Sequence, residues 1–256
     1  LQKFHPFDSE KYRRIHGHLA EKAGIPRGAF HEPEPVTDAD LLAVHSTEYL
    51  ESLNDSATVA RVAEMPMLRH FPNRILRNNL LLPMRYGAGG TVLGARLALE
   101  HGWAVNLSGG YHHAKRDGGE GFCFYADIPL AIHSLWKTRR ALRVLIIDLD
   151  AHQGNGFASV MNNDPRVYIL DVYNSEVYPG DADAMRYIDM DLPIPSGTGD
   201  AEYLGILARA LPRAFRESRP DLVVYNAGVD ILAGDPLGRL GVSGEGIIRR
   251  DEMVFS

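Results

Sequence analysis

The stretch Ile146–Gly156, reading IIDLDAHQGNG, sets two carboxylates and an imidazole at alternate positions, Asp148, Asp150 and His152. The apolar run before them (Val144, Leu145, Ile146, Ile147) reads as a buried strand that ends at this cluster. Alternate side chains of a strand share a face, so the three polar groups point one way while Leu149 and Ala151 pack the other way. Bare polar groups converging there would be costly, and a divalent metal removes that cost. Gly154 and Gly156 are expected to turn the backbone sharply beside the site. Asp230 closes a second such cluster, YNAGVD (Tyr225–Asp230), at the end of the run Leu222–Tyr225. Asp150, His152 and Asp230 together offer three protein ligands and an open position, the pattern of a catalytic zinc site. Hard oxygen donors also suit Fe(II) or Mn(II). His112 and His113 follow a Gly-Gly turn, and adjacent imidazoles can supply a general base and an electrostatic partner or acid.

These clusters need elements that aim them at one place. Short apolar runs at Trp103–Leu107, Val144–Asp148, Val167–Val172 and Leu222–Tyr225 are separated by enough chain for helices. That is the pattern of parallel strands with crossover helices in one doubly wound domain. Three of the runs lead directly into the polar clusters, and open α/β sheets bind ligands at the carboxyl ends of their strands. Helices are predicted at Ser9–Ala20, from an N-cap at Thr37 with Leu41, Leu42 and Val44 as its apolar face, at Thr91–His101 closed by Gly102, and at Ala201–Glu217. Pro212 is expected to kink the last of these or start a new helix. Ile247–Phe255 reads as a helix leading toward a further strand.

The chain has 256 residues, 45% of them hydrophobic and 23% charged, enough to bury a real core. A net charge of −6 without a basic stripe argues against direct nucleic-acid binding. One cysteine, Cys123, excludes an intrachain disulfide framework and a thiolate metal cage. No apolar run is long enough for a membrane span, and the start LQKFHPFDSE lacks an apolar signal segment. A cytoplasmic protein, also nuclear if eukaryotic, is the expectation. Oligomeric state is not legible.

The motifs GGYHH (Gly109–His113), GGEGFCFYAD (Gly118–Asp127), DLDAHQGNG (Asp148–Gly156), YNSEVYPGD (Tyr173–Asp181), YNAGVD (Tyr225–Asp230) and GDPLGRL (Gly234–Leu240) occur in order, with KFHPFDSEKY (Lys3–Tyr12) and VHSTEYL (Val44–Leu50) ahead of them. Together they resemble the histone deacetylase family of the arginase–deacetylase fold, closest to the class IV group and its bacterial homologues. The resemblance implies a three-layer α/β fold with a central, mostly parallel sheet flanked by helices. It implies zinc-dependent removal of acetyl or longer fatty acyl groups from lysine side chains of proteins or peptides. Acylated polyamines are the alternative substrate, and a non-catalytic acyl-lysine-binding pseudoenzyme is the alternative of another class.

Carried over by position, the resemblance makes Asp150, His152 and Asp230 the zinc ligands. His113 becomes the general base and acid, and His112, held by Asp148, the group that stabilises developing charge. Gly121 and Phe122, with Tyr178 opposite, become the walls of the acyl tunnel. Carbonyls of Asp148, Asp150 and His152 with groups at Asp171 and Val172 resemble a structural potassium site. Asn155 stands where many relatives carry an Asp paired with the second His, a difference that class IV members share. The expected domain is 1–256, lacking the family's N-terminal strand and its C-terminal Gly-Gly-Tyr segment through truncation of the chain. The tyrosine of that segment would donate to the oxyanion, a contribution worth about 10²–10³ in rate. An arginase-like two-metal site is disfavoured because Ile231, Leu232 and Ala233 follow Asp230. A Rossmann nucleotide site is disfavoured because Gly87, Gly89 and Gly90 lack the required spacing.

Overall fold

A computed structural model describes residues 10–162 and 164–256. Ser9, the predicted first residue of the opening helix, and Lys3–Ser9 of the first motif lie outside the described residues. The described residues form two compact units, divided between Ala131 and Ile132. The first carries α1 (Lys11–Glu21), α2 (Asp38–Leu41), α3 (Thr47–Ser52), α4 (Ser56–Val62), α5 (Asn73–Leu76) and α6 (Leu82–His101), and the division falls inside α7 (Asp127–Trp136). The second carries β1 (Val144–Asp148), α8 (Asn155–Met161), β2 (Val167–Asn174), β3 (Met190–Ile194), α9 (Asp200–Ser218), β4 (Leu222–Asn226) and α10 (Gly244–Phe255).

In the first unit, Thr37 caps α2 as its spacing predicts. Its hydroxyl accepts from the Asp40 amide at 3.2 Å, and the Asp40 carboxylate accepts from the Thr37 amide at 3.1 Å. Such a cap contributes about 1 kcal/mol. The helix lasts one turn, so Leu41 and Val44 are buried while Leu42, predicted to share their face, is 49% exposed. Helix α6 starts at Leu82, well before the predicted Thr91, because Gly87, Gly89 and Gly90 lie buried inside it. It stops at Gly102, whose φ of +95° ends the helix as expected. The run Trp103–Leu107 is not a strand: no strand among the described residues pairs with it, and Trp103 and Val105 are 66% and 62% exposed.

His45, in the VHSTEYL motif, is buried, and its Nε2 accepts from the Ala126 amide at 3.0 Å. Burial pushes its pKa down to about 4, against an opposing pull from the carbonyl side of Lys115 and Arg116. The folded state therefore keeps this imidazole neutral, while the unfolded chain takes up a proton below about pH 6.5. The contribution is present above pH 6.5 and is lost as pH falls toward 4, at up to roughly 1.4 kcal/mol per unit. Denaturant titrations at successive pH values should show this acid limb, and His45→Gln, which retains an acceptor but does not titrate, should flatten it. An unchanged limb would refute the assignment.

In the second unit the four strands are all parallel, in the order β3-β2-β1-β4. The chain steps outward from β1 to β2 to β3 and then returns to the other side of β1 with β4. The neighbouring carboxyl ends of β1 and β4 are thus the switch point of the sheet. Strand β3 was not read from the sequence. It carries Pro193, which an edge strand tolerates because one side of its backbone needs no partner.

Leu145, Ile147, Leu149 and Ala151 join Leu170, Val172 and the buried face of α9 in one core, each fully buried aliphatic side chain contributing roughly 1.5–3 kcal/mol. Helix α9 runs unbroken through Pro212 and starts no second helix there, because Leu207, Ala210, Leu211 and Ala214 pack its apolar stripe on both sides of the proline. Ser243 caps α10 by accepting from the Gly246 amide at 3.0 Å. No described helix is long and apolar enough to cross a membrane.

Candidate metal centre

Strand β1 delivers Asp148 at its last position, and the chain beyond it continues the alternation. Leu149 and Ala151 enter the core while Asp150 and His152 face away from it. The loop after β4 brings Asp230 to the same place. One donor atom each from Asp150, His152 and Asp230 lies within 4.8 Å of the others. His152 Nδ1 is 2.7 Å from Asp230 Oδ2 and 3.1 Å from Asp150 Oδ1. The main chain fixes the same carboxylates: the Ala151 amide donates to Asp230 Oδ1 at 2.9 Å, and the His152 amide to Asp150 Oδ1 at 2.9 Å.

The donor set fits a small divalent cation. Tetrahedral ligands with bonds of about 2.1 Å stand roughly 3.4 Å apart, a modest opening of the observed spacing. Burial, and then the charge of Asp150, push the Asp230 carboxyl above its usual range, while His152 draws it down. Burial opposes the charge on His152, yet its contacts with Asp150 and Asp230 hold the imidazole well above its ordinary value. Two carboxylates crowded around one imidazole are charge density that a cation would neutralise. The three side chains are 15–21% exposed, which leaves the donors open to an ion and a substrate.

Around the triad, Asp148 is fully buried. Its Oδ1 accepts from the Asp150 amide at 3.1 Å and from Asn226 Nδ2 at 2.9 Å. Asp171 stands beside it in register on β2 and accepts from the Gly154 amide at 2.8 Å; Val172 follows, buried in the core. The role of the two glycines differs from the expected sharp turn. Gly156 lies inside α8, and Gly154 is needed for close approach, since a Cβ there would lie 2.2 Å from the Phe157 ring and 2.7 Å from Asp148 Oδ2. Asn155 is buried and donates to Asp181 Oδ2 at 3.2 Å. Tyr178 is half-exposed.

In the first unit, His112 and His113 are both buried, with ring centroids 4.0 Å apart. Asp127 holds the loop that carries them, accepting from the amides of Gly110 at 2.9 Å and Tyr111 at 2.8 Å and from the Thr91 hydroxyl at 2.6 Å. Gly121 lies against His113, where a Cβ would sit 2.4 Å from the ring. Phe122 adopts φ of +66°, a strained conformation for an aromatic residue.

Sequence reasoning missed Asp127, Asn226, Gly228 and Arg250 as supports of these groups. Asp127 and Asn226 lay inside recognised motifs. Arg250 left a signal: it sits on the apolar stripe of α10 set by Ile247, Met253 and Val254, where a charge needs a reason.

Residues 5–256 match the family described as the histone deacetylase domain. The chain is 50% identical over 255 residues to Histone deacetylase 2 of Arabidopsis thaliana, covering all of this chain and 66% of that protein. It is 35% identical over 252 residues to an uncharacterized protein of Picosynechococcus, covering 98% and 81%. Against Histone deacetylase 3 of rice it spans about half of the relative's length, at 31% identity. Among solved structures, the HD domain of HDA15 superposes with a TM-score of 0.76 at 23% identity, covering 98% of this chain and 74% of that one. An acetylpolyamine aminohydrolase from Burkholderia pseudomallei gives 0.76 at 22% identity, covering 96% and 81%. These likenesses confirm the arginase–deacetylase type of fold, a parallel sheet flanked by helices. With the family match running over nearly its whole length, the chain belongs to the histone deacetylase family.

Proposed function

We propose that the protein is a zinc-dependent deacylase that hydrolyses the amide of acyl-lysine side chains, and that residues 1–256 belong to one deacetylase domain. The observation that carries this is the convergence of Asp150, His152 and Asp230 at the switch point of the sheet. These three residues would hold the ion, with Fe(II) the alternative metal, and the ion would supply Lewis acidity toward the acyl carbonyl and water.

The remaining chemistry falls to the chain's own groups. His113 takes a proton from water as the oxygen adds to the acyl carbon, and then gives a proton to the leaving amine as the C–N bond breaks. His112 stabilises the charge that develops. Asp148 and Asn155 keep the orienting roles that the family resemblance assigns to their positions. Gly121, Phe122 and Tyr178 offer the flat surfaces an alkyl stem requires. A potassium ion at Asp148, Asp150, His152, Asp171 and Val172 would offset the carboxylate density beside the triad. Asn155 in place of an acid supports membership of the class IV group, and with it a preference for long acyl chains.

A panel of acyl-lysine peptides of increasing chain length, with an acylated polyamine alongside, tests this reading. Turnover should rise with chain length, vanish on chelation and return with Zn²⁺. Turnover of the polyamine alone would move the substrate assignment to polyamines, and no turnover of any member with metal restored would refute the deacylase assignment.

A further inference from the structure

The guanidinium of Arg250, on α10, is wholly buried. A permanent charge placed there needs hydrogen-bond partners of its own. Nε donates to Asp251 Oδ1 at 2.8 Å, and the same oxygen accepts from the Tyr225 hydroxyl at 2.6 Å, which anchors the fork to β4. Nη1 reaches two main-chain carbonyls. One belongs to Leu149, at 3.3 Å, immediately before Asp150; the other belongs to Gly228, two residues before Asp230. The Leu149 carbonyl also accepts from the Tyr203 hydroxyl at 3.5 Å. A single nitrogen therefore ties the loop after β1 to the loop after β4 where each is about to present a metal donor. The loops touch at this point, because Gly228 lies so close to Asp150 that no side chain fits between them.

We infer that Arg250 is a positioning residue of the metal centre, setting the separation of Asp150 and Asp230 through the carbonyls of Leu149 and Gly228. The inference rests on the reading of the triad as a metal site. Arg250 touches no donor atom of the triad directly and acts only through the two main chains it joins. A lysine could follow the same path but lacks the Nε that Asp251 holds, so it would leave the tie loosely aimed.

The test compares Arg250→Met and Arg250→Lys with wild type for Zn²⁺ affinity, by chelator competition, and for the visible d–d bands of the Co²⁺-loaded protein, which report ligand geometry. Leu211→Ala is the control. It removes buried side chain from the half of α9 that leads into the start of β4, at the opposite end of the sheet from the donors. Arg250→Met should weaken Zn²⁺ binding by about tenfold or more and shift the Co²⁺ bands. Arg250→Lys should lie between Arg250→Met and wild type, and Leu211→Ala should lower Tm with affinity and bands unchanged. Wild-type affinity and bands in Arg250→Met would overturn the inference, as would an equal loss of affinity in Leu211→Ala. Should Arg250→Met fail to fold, Arg250→Lys and Asp251→Asn are read the same way, and unchanged binding in both overturns it. If wild type binds neither ion, the triad reading itself fails.

Discussion

Asp150→Ala should leave the protein folded but unable to retain a divalent metal, with turnover at background. The substitution removes one of three donors and also the acceptor that the His152 amide uses at 2.9 Å. Loss of a partner that merely orients a ligand costs about 10–100-fold in metal affinity or activity. Loss of the ligand itself should exceed the upper end of that range. Asp150→Asn, which keeps an acceptor for the amide but drops the charge, should fail equally in metal retention. The metal-free proteins should behave differently from the loaded ones. The charge of Asp150 is one of the causes that push the Asp230 carboxyl up. Without metal, Asp150→Asn relieves that repulsion but also loses the carboxylate that holds the His152 imidazole above its ordinary value, so its Tm should differ from that of wild type far less than it does with metal bound. Metal content by elemental analysis and thermal melts with and without chelator check both halves, and full metal occupancy in either variant would sink the assignment.

Gly228→Ala should be nearly as damaging, although it adds one carbon and removes nothing. The new Cβ would lie 2.2 Å from Asp150 Oδ2 and 2.6 Å from its Cα. A flexible side-chain end could swing away, but the Cα belongs to a loop anchored by the core residues Leu149 and Ala151. One of the two ligand-bearing loops must move. Overpacking of this kind costs about 1–3 kcal/mol, which for a chain of this size lowers Tm on the order of 5 °C. Metal affinity should fall by more than that stability change accounts for, because the displaced atom is a donor. Chelator competition on the folded variant checks this, and wild-type affinity would show that the loops separate freely.

The parts of the site legible in the sequence were those whose signal is local. Asp150 and His152 follow from the alternation of a strand continued past Asp148, and the structure keeps that alternation through Leu149 and Ala151, whose main chains still hydrogen-bond to Asn226 and Asn174. Asp230 was legible because it ends a second apolar run. What stayed hidden depends on contacts distant in sequence. Trp103–Leu107 has the composition of a strand, but a strand needs a neighbour, and composition does not say whether one is there. Strand β3 was hidden by its proline, which only its position at the edge of the sheet makes acceptable. Gly87, Gly89 and Gly90, which precede the helix start expected at Thr91, are the buried part of a longer helix. Gly154 and Gly228 were visible as glycines, but the side chains crowding them were not.

The parallel order β3-β2-β1-β4 also bears on how the protein comes into being. The hydrogen bond from Ala151 to Asp230 joins residues 79 apart in sequence. As the ribosome releases the chain from its N-terminus, β1, β2 and β3 can pair while one long side of β1 waits for residues 222–226. Until they arrive, the nascent sheet carries an open edge able to capture another chain, together with carboxylates that have no shared counter-ion. The triad proposed to hold the ion is thereby assembled late, only after β4 has paired with β1 and brought Asp230 to Asp150 and His152.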